Sequence, residues 1–297
     1  MPNKTSSTTA LRDLYLPLAV ITASFIALYY HVIARMVVDW SVDDNYSHGF
    51  LIPLISGYLI WQKRADLSEI SCHPSNTGLF LLAGGLAFFL VGNLGAELFT
   101  MRFSILIVLL GLVVYIVGWE FAKAVSLPIG YLIFMIPLPA IIWYKIAFPL
   151  KLFATRIATT VLQWLKLSAY SEGNIIHLSS TSLQVVNTCS GLRSLTSLLA
   201  LSAAFALITY HSKTRKWVLF LSAIPIAILV NVIRLAATAL LSEYYGVQVT
   251  QGFLHGAAGI LVFILAFILI YMVHLLLQRT VAENSRTDTT RKTRSTQ

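Results

Sequence analysis

Long runs without Asp, Glu, Lys or Arg follow one another along almost the whole chain. Nine of these runs contain at least 17 residues. A helix of about 20 apolar residues, rising about 1.5 Å per residue, crosses the hydrocarbon core of a bilayer. The pattern therefore predicts a polytopic membrane protein. The runs are residues 14–34, 45–62, 70–96, 103–119, 124–144, 173–192, 194–212, 217–233 and 244–278.

The run at 173–192 differs from the others because it is rich in Ser, Thr and Asn. In this run Ile175 and His177, and again Leu183 and Val185, alternate with other residues at period two. Such alternation is typical of strands. We predict a short hairpin here instead of a span. The expected fold is therefore an all-α polytopic membrane protein with about eight transmembrane helices.

The segment between the fifth and sixth predicted helices, residues 144–190, is the longest connection in the chain. Its first half is amphipathic at the helical period of about 100° per residue, with Pro149 in the first turn or at a kink. We predict an extracytoplasmic interfacial helix whose cations snorkel to headgroups. The predicted polar face carries Lys145, Lys151, Thr155, Arg156, Thr159, Gln163 and Lys166. The predicted apolar face carries Ile146, Leu150, Phe153, Ile157, Val161 and Trp164.

Composition excludes a soluble protein. Only 11% of the residues are charged and 57% are hydrophobic, with a mean hydropathy of +0.78, whereas soluble domains carry about 25% charged residues. The net charge of +9 does not indicate nucleic acid, because in a membrane protein the position of the cations reports topology.

Lysine and arginine are concentrated in the connections that lie on the same side as both termini, notably at Lys213, Arg215 and Lys216 and after Arg279. We expect the protein in the inner membrane of the cell. By the positive-inside rule, both termini are then expected on the cytoplasmic side. We expect one integral membrane domain over residues 1–282 and a basic, disordered tail over 283–297. The first helix is expected to be retained and not removed as a signal peptide.

Ionisable residues at membrane depth are functional candidates because burying them is costly. Arg234 is placed near the outer end of the seventh helix, and Asn231 lies one turn before it on the same face. His255 opens the eighth helix near the same face, and Gly259 one turn later would permit close approach of a helix or substrate. Snorkelling for Arg234 and simple packing for His255 are the alternative interpretations.

Cys189 precedes the sixth helix, again at the outer face. Unpaired N–H groups and the helix dipole favour a thiolate and a developing oxyanion at a helix start. A small packing residue is the alternative interpretation of this cysteine. Three separate helices thus place a Cys, an Arg and a His at one depth, as a thiol acyl-transfer site requires. Cys72 falls in a cytoplasmic loop and cannot pair with Cys189, and Cys72 with His73 makes only a weak metal pair.

Four motifs resemble those of the exosortase/archaeosortase family. They are NTCSGLRSL around Cys189, NVIR ending at Arg234, HGAAG starting at His255 and NYSHGFLIPLISGYLIW at 45–61. Within this family, the chain resembles a bacterial exosortase more than an archaeosortase. The resemblance covers the chain from the second helix to the eighth. It implies a multi-pass cysteine transpeptidase, without metal or cofactor, whose active site faces outward. Its substrates would be exported proteins ending in a short motif, a transmembrane helix and a basic cluster.

The resemblance also implies residue roles. Cys189 would form a thioester, His255 would transfer a proton, and Arg234 would hold the oxyanion or pair with the thiolate. Asn231, Ser190 and Gly191 would support them. Arg193 would bind a substrate carboxylate or lipid headgroups, with headgroups preferred. His48 matches the family without a derivable role, and a polar helix cap is an equal interpretation.

Two other classes of protein remain possible interpretations of the chain. A small transporter or polysaccharide-export component would use Arg234 to bind an anion, but no internal repeat is visible. A purely structural membrane protein is the other. A membrane metalloprotease is disfavoured because no H-E-x-x-H motif occurs. The acceptor that resolves the thioester, a lipid or glycan group or water, is not specified by the sequence.

Overall fold

The computed structural model describes the backbone of residues 6–185, 192–210, 212–246 and 253–294, and side chains within 16–185, 193–210, 212–246 and 259–279. The first half of the chain is helical throughout. Its helices are α1 (Ser6–Val42), α2 (Leu51–Gln62), α3 (Arg64–Glu69), α4 (Thr77–Leu94), α5 (Leu98–Ile116) and α6 (Trp119–Tyr131). Short 3-10 helices cover Ser47–Phe50 and Leu132–Met135.

The second half combines long helices with one small sheet. Its helices are α7 (Ala140–Trp164), α8 (Leu192–Thr209), α9 (Lys213–Tyr245) and α10 (Phe253–Arg294). Its strands are β1 (Tyr170–Glu172), β2 (Ile175–His177) and β3 (Ser182–Gln184). The predicted all-α polytopic membrane fold is confirmed. The bounds of α10 include residues 283–294, for which the sequence predicts a disordered tail. The division into a membrane domain over 1–282 and a tail over 283–297 stays a prediction.

Within the described residues, five helices are long and apolar enough to cross a membrane, and a bent pair would make a sixth. The five are Ala19–Val42, Thr77–Leu94, Leu98–Ile116, Lys213–Tyr245 and Gly259–Arg279. The bent pair, Trp119–Met135 and Ala140–Trp164, turns by 79° where Pro137 and Pro139 interrupt the helix. Of the other two predicted spans, 194–212 forms a shorter apolar helix, whereas 45–62 contains a 3-10 turn and the 12-residue α2.

The chain divides into two compact units, Met1–Asp43 with Lys63–Pro137 and Asp44–Gln62 with Leu138–Gln297. In the first unit, α4 packs closely on α5 through glycines that recur every seven residues, Gly78, Gly85 and Gly92. A Cβ built at Gly85 would lie 2.7 Å from a methyl carbon of Val108 and 3.1 Å from its backbone nitrogen. Small residues of this kind let two membrane helices approach each other.

Alanine at Gly85 is therefore expected to destabilise the protein. The added methyl group must push α4 away from α5, and such overpacking costs about 1–3 kcal/mol. Gly84→Ala is the matched control, because no described atom lies within 4 Å of a Cβ at that position. Thermal unfolding in detergent should show a lower Tm for Gly85→Ala and an equal or higher Tm for Gly84→Ala. Equal Tm values for both variants would contradict the close packing.

The second unit contains the predicted hairpin, which is confirmed. Strands β2 and β3 pair antiparallel with Ile176 opposite Leu183, and β1 adds a third antiparallel strand. Ile176 is fully buried beside residues of α7 and α9. We call this set the sheet cluster, formed by Ala154, Ala158, Leu162, Ala169, Ile176, Val185, Val232, Leu235, Ala236 and Ala239.

The two faces predicted for α7 are found in part. On the predicted polar face Arg156 and Gln163 are exposed, but Thr155 and Thr159 are buried, and their hydroxyls donate to the carbonyls of Lys151 and Thr155 at 2.8 and 2.9 Å. The predicted apolar face includes exposed Phe153 and Trp164, which a helix facing lipid can present. The side that packs into the sheet cluster instead carries the small residues Ala154 and Ala158.

Helices α8, α9 and α10 pack around a second apolar group in the same unit. We call it the three-helix cluster, formed by Leu198, Ala206, Tyr210, Leu219, Ala223, Ile226, Ala227, Val230, Val262, Ala266 and Ile270. At one end of this cluster the Tyr210 hydroxyl and Nδ1 of the buried His274 are 2.6 Å apart. This hydrogen bond joins the end of α8 to α10.

Candidate active site

Arg234 and Asn231 lie together on α9, as their spacing predicts. The Nη2 atom of Arg234 donates to the Asn231 Oδ1 atom at 2.9 Å. Asn231 is 2% exposed, and Arg234 is half-buried. A helix interior holds the amide rigidly, so Asn231 fixes the plane of the guanidinium group. Arg234 is thus a fixed cationic donor within a largely apolar helix, which is a suitable group for holding an anionic oxygen.

Cys189, Ser190 and Gly191 lie outside the described residues, but both flanks of this segment are described. On one side, Val185 is fully buried in the sheet cluster together with Val232 and Leu235 of α9. Val185 also exchanges two hydrogen bonds with Asn174, N–H to carbonyl at 2.8 Å and side-chain amide to the Val185 carbonyl at 3.0 Å. The chain is therefore anchored on α9 four residues before Cys189.

On the other side, α8 begins at Leu192 and contributes Leu198 to the three-helix cluster. Val230 of α9 and Val262 of α10 belong to the same cluster. On α9, Val230 belongs to the three-helix cluster, and Val232 and Leu235 belong to the sheet cluster. All three residues lie close to Arg234 along the helix. The described residue before the segment, Val185, thus belongs to a cluster that includes neighbours of Arg234, and the helix after the segment packs on α9 in a cluster that extends from Leu219 to Val230.

His255 belongs to α10, whose first residue is Phe253, and its side chain lies outside the described part. It precedes the cluster residue Val262 by two helical turns. At Gly259, no described atom lies within 4 Å of a built Cβ. The close approach of a neighbouring helix that the sequence suggests at Gly259 is therefore not found among the described residues.

Arg193 has protein partners where the sequence analysis favours lipid headgroups. Its Nε donates to Asn45 Oδ1 at 3.1 Å, and its Nη1 lies 3.3 Å from Asp44 Oδ2. His48 is also engaged, with its Nδ1 atom 3.3 Å from the hydroxyl of Ser197. The preference for headgroups stays a prediction beside these protein contacts, and His48 of the YSHGF motif lies against Ser197, within the first two turns of α8.

Sequence reasoning missed the contributions of Asp44, Asn45 and Glu243. The Glu243 carboxylate accepts from the Ser180 backbone N–H at 3.2 Å and from its hydroxyl at 2.8 Å. This contact ties the turn between β2 and β3 to the end of α9. The sequence shows acidic residues next to the predicted site segments, but it does not indicate which residue each of them contacts. The described residues contain no group of three or more His, Cys, Asp or Glu placed to hold a metal ion.

All the described contacts of this candidate site lie in the second unit, to which the segments around His48, Arg193 and Arg234 belong. Residues 40–272 match the family of transmembrane exosortases. No curated protein and no solved structure matches the chain. Because the family match spans well over half of the 297 residues, the chain belongs to the transmembrane exosortase family.

Proposed function

We propose that the protein is a cysteine transpeptidase that cleaves the C-terminal sorting signal of exported proteins. The signal would consist of a short motif, a transmembrane helix and a basic cluster. Family membership supports a membrane transpeptidase of the exosortase kind. The observation that supports the residue assignment is that Val185, four residues before Cys189, belongs to the same cluster as Val232 and Leu235, which lie on either side of Arg234 in α9.

In the proposed reaction, the Cys189 thiolate attacks the scissile carbonyl and forms a C–S bond. Arg234 holds the oxyanion that develops on the carbonyl oxygen, and Asn231 orients its guanidinium group. The C–N bond then breaks, and His255 gives a proton to the leaving amine. An acceptor amine, hydroxyl or water finally attacks the thioester, gives its proton to the neutral His255 and releases Cys189 as the thiolate. Ser190 and Gly191 are proposed to support the nucleophile through their position next to it.

The proposed setting is the inner membrane, with both termini in the cytoplasm and the active site facing outward. This orientation is inferred from the distribution of Lys and Arg along the chain. The proposed partners are the exported substrates, an envelope acceptor such as a lipid or glycan, and the surrounding lipids. Neither nucleic acid nor a cofactor has a role in this proposal.

The proposed function is tested by trapping the covalent intermediate. A reporter protein carrying a tail with motif, helix and basic cluster from the same genome is co-expressed with the protein. We expect a reporter adduct on Cys189 that hydroxylamine releases, because hydroxylamine cleaves thioesters and leaves amides intact. The adduct should be found by mass spectrometry on the peptide containing Cys189. Processing of the reporter without any thiol adduct, or an adduct on Cys72, would contradict the proposal.

A further inference from the structure

Three polar contacts connect the segment before α2 with the start of α8. The guanidinium group of Arg193 meets Asp44 and Asn45, and the Ser197 hydroxyl meets His48. Arg193 and Ser197 are four residues apart on α8 and therefore lie on one face. We call these five residues, Asp44, Asn45, His48, Arg193 and Ser197, the α8 clamp.

We propose that the α8 clamp positions the nucleophile, with Arg193 acting through Asp44 and Asn45 and not as a substrate-binding group. This inference rests on the proposed function of Cys189. Cys189 is four residues before Arg193, so the clamp holds the first described turn of α8, which begins at Leu192, three residues after the nucleophile. The Val185 contacts with Asn174 fix the chain on its other side.

The chemistry of Arg193 suits this role. Two of its nitrogens, Nε and Nη1, face two different residues, so the planar fork defines both the depth and the rotation of the first turn of α8. A lysine keeps the charge but offers no such fork.

The exposure of the pair argues against a role in holding the fold together. The side chains of Arg193 and Asp44 are 34% and 78% exposed. Exposed ion pairs contribute little to stability. Displacement of the nucleophile instead affects the rate of reaction, because moving a reacting group by about 1 Å lowers the rate up to about 100-fold.

The test uses the full chain in lipid with Cys72 replaced by serine, so that Cys189 is the only thiol. Variants are Arg193→Lys, Arg193→Gln, Asp44→Asn and the double Arg193→Gln/Asp44→Asn. Arg156→Lys is the matched control, because Arg156 is an exposed arginine of α7 in the same unit. The kcat and KM for cleavage of the tailed reporter are measured, together with the alkylation rate of Cys189 by a membrane-impermeant maleimide.

We expect each single clamp variant to lower kcat by about 10- to 100-fold with KM and the alkylation rate changed less than about threefold, since only the position of the thiol is altered. The double variant should be no slower than the slower single variant, because the two residues act through one contact. Arg156→Lys should match the parent protein in every measurement.

Four results would overturn the proposed role of the clamp. A rise in KM with kcat unchanged would make Arg193 a substrate-binding residue. Opposite effects of Asp44→Asn and Arg193→Gln, which change the net charge in opposite directions, would show that charge and not position matters. If the fold-losses of kcat in the two single variants multiply in the double variant, the two residues act independently.

The failure of the clamp is distinguishable from the failure of the proposed function. If Cys189→Ala still cleaves the reporter, the proposed function fails. If Cys189→Ala is inactive while the clamp variants keep the parent kcat, which is the fourth result, only the clamp fails.

Discussion

Cys189→Ala is expected to abolish cleavage of a tailed reporter protein, with no effect on the amount of protein in the membrane. A covalent mechanism has no route around its nucleophile. Cys189→Ser should leave little or no activity, because a hydroxyl is far less acidic than a thiol and stays protonated at the start of a helix. Release of the reporter from its membrane anchor is the measurement, made by immunoblot over time.

Cys72→Ala is the matched control for this prediction, because Cys72 is an exposed free cysteine in the first unit. It should process the reporter at the parental rate. Normal release in cells carrying Cys189→Ala would exclude the transpeptidase mechanism. Anion transport through Arg234 would then become the leading interpretation of the chain.

The sequence was sufficient where a local pattern determines the structure. The hairpin was predictable because Ile175 and His177, and again Leu183 and Val185, alternate with other residues at period two. The buried face of the first of these strands was not predictable, because Ile176 is the residue that is fully buried there. The contact between Arg234 and Asn231 was predictable because residues three apart are neighbours on a helix.

The face of α7 was not predictable from amphipathicity alone. In a soluble protein the large apolar side chains of a helix turn inward, and that rule places Phe153 inside and Thr159 outside. In lipid the exposed side chains are as well solvated as buried ones, so packing selects small groups. Ala154 and Ala158 therefore belong to the cluster with residues of α9, and the hydroxyls of the two buried threonines bond to carbonyls of their own helix.

The α8 clamp was also beyond sequence reasoning. Asp44 and Arg193 are 149 residues apart, and no periodicity connects two positions separated by several helices. The uncharged run at 45–62 looked like a span because Asn45 and His48 carry no formal charge. These polar groups instead bind α8, and the helix that follows them, Leu51–Gln62, has only 12 residues.

Arg234→Lys is expected to lower kcat for reporter cleavage by about 10²- to 10³-fold, the usual effect of losing one oxyanion donor. Lysine keeps the charge but cannot donate to Asn231 and to the oxyanion from one rigid plane. Asn231→Ala should have a smaller effect of the same kind, because Arg234 keeps its donors and loses only their orientation. Single-turnover kinetics with the tailed reporter separate this step from binding and release.

Arg215→Lys is the matched control because Arg215 lies on the same helix, in its first turn, about 28 Å before Arg234 along the axis. Both substitutions keep the net charge, so a difference between them depends on position in the helix. If Arg234 only snorkelled to headgroups, lysine would replace it well, since its stem also reaches the interface, and the two variants would be equally active. A large loss confined to Arg234→Lys requires that the planar group itself contacts the reacting atoms, because a lysine at the same place satisfies every requirement of membrane depth and charge.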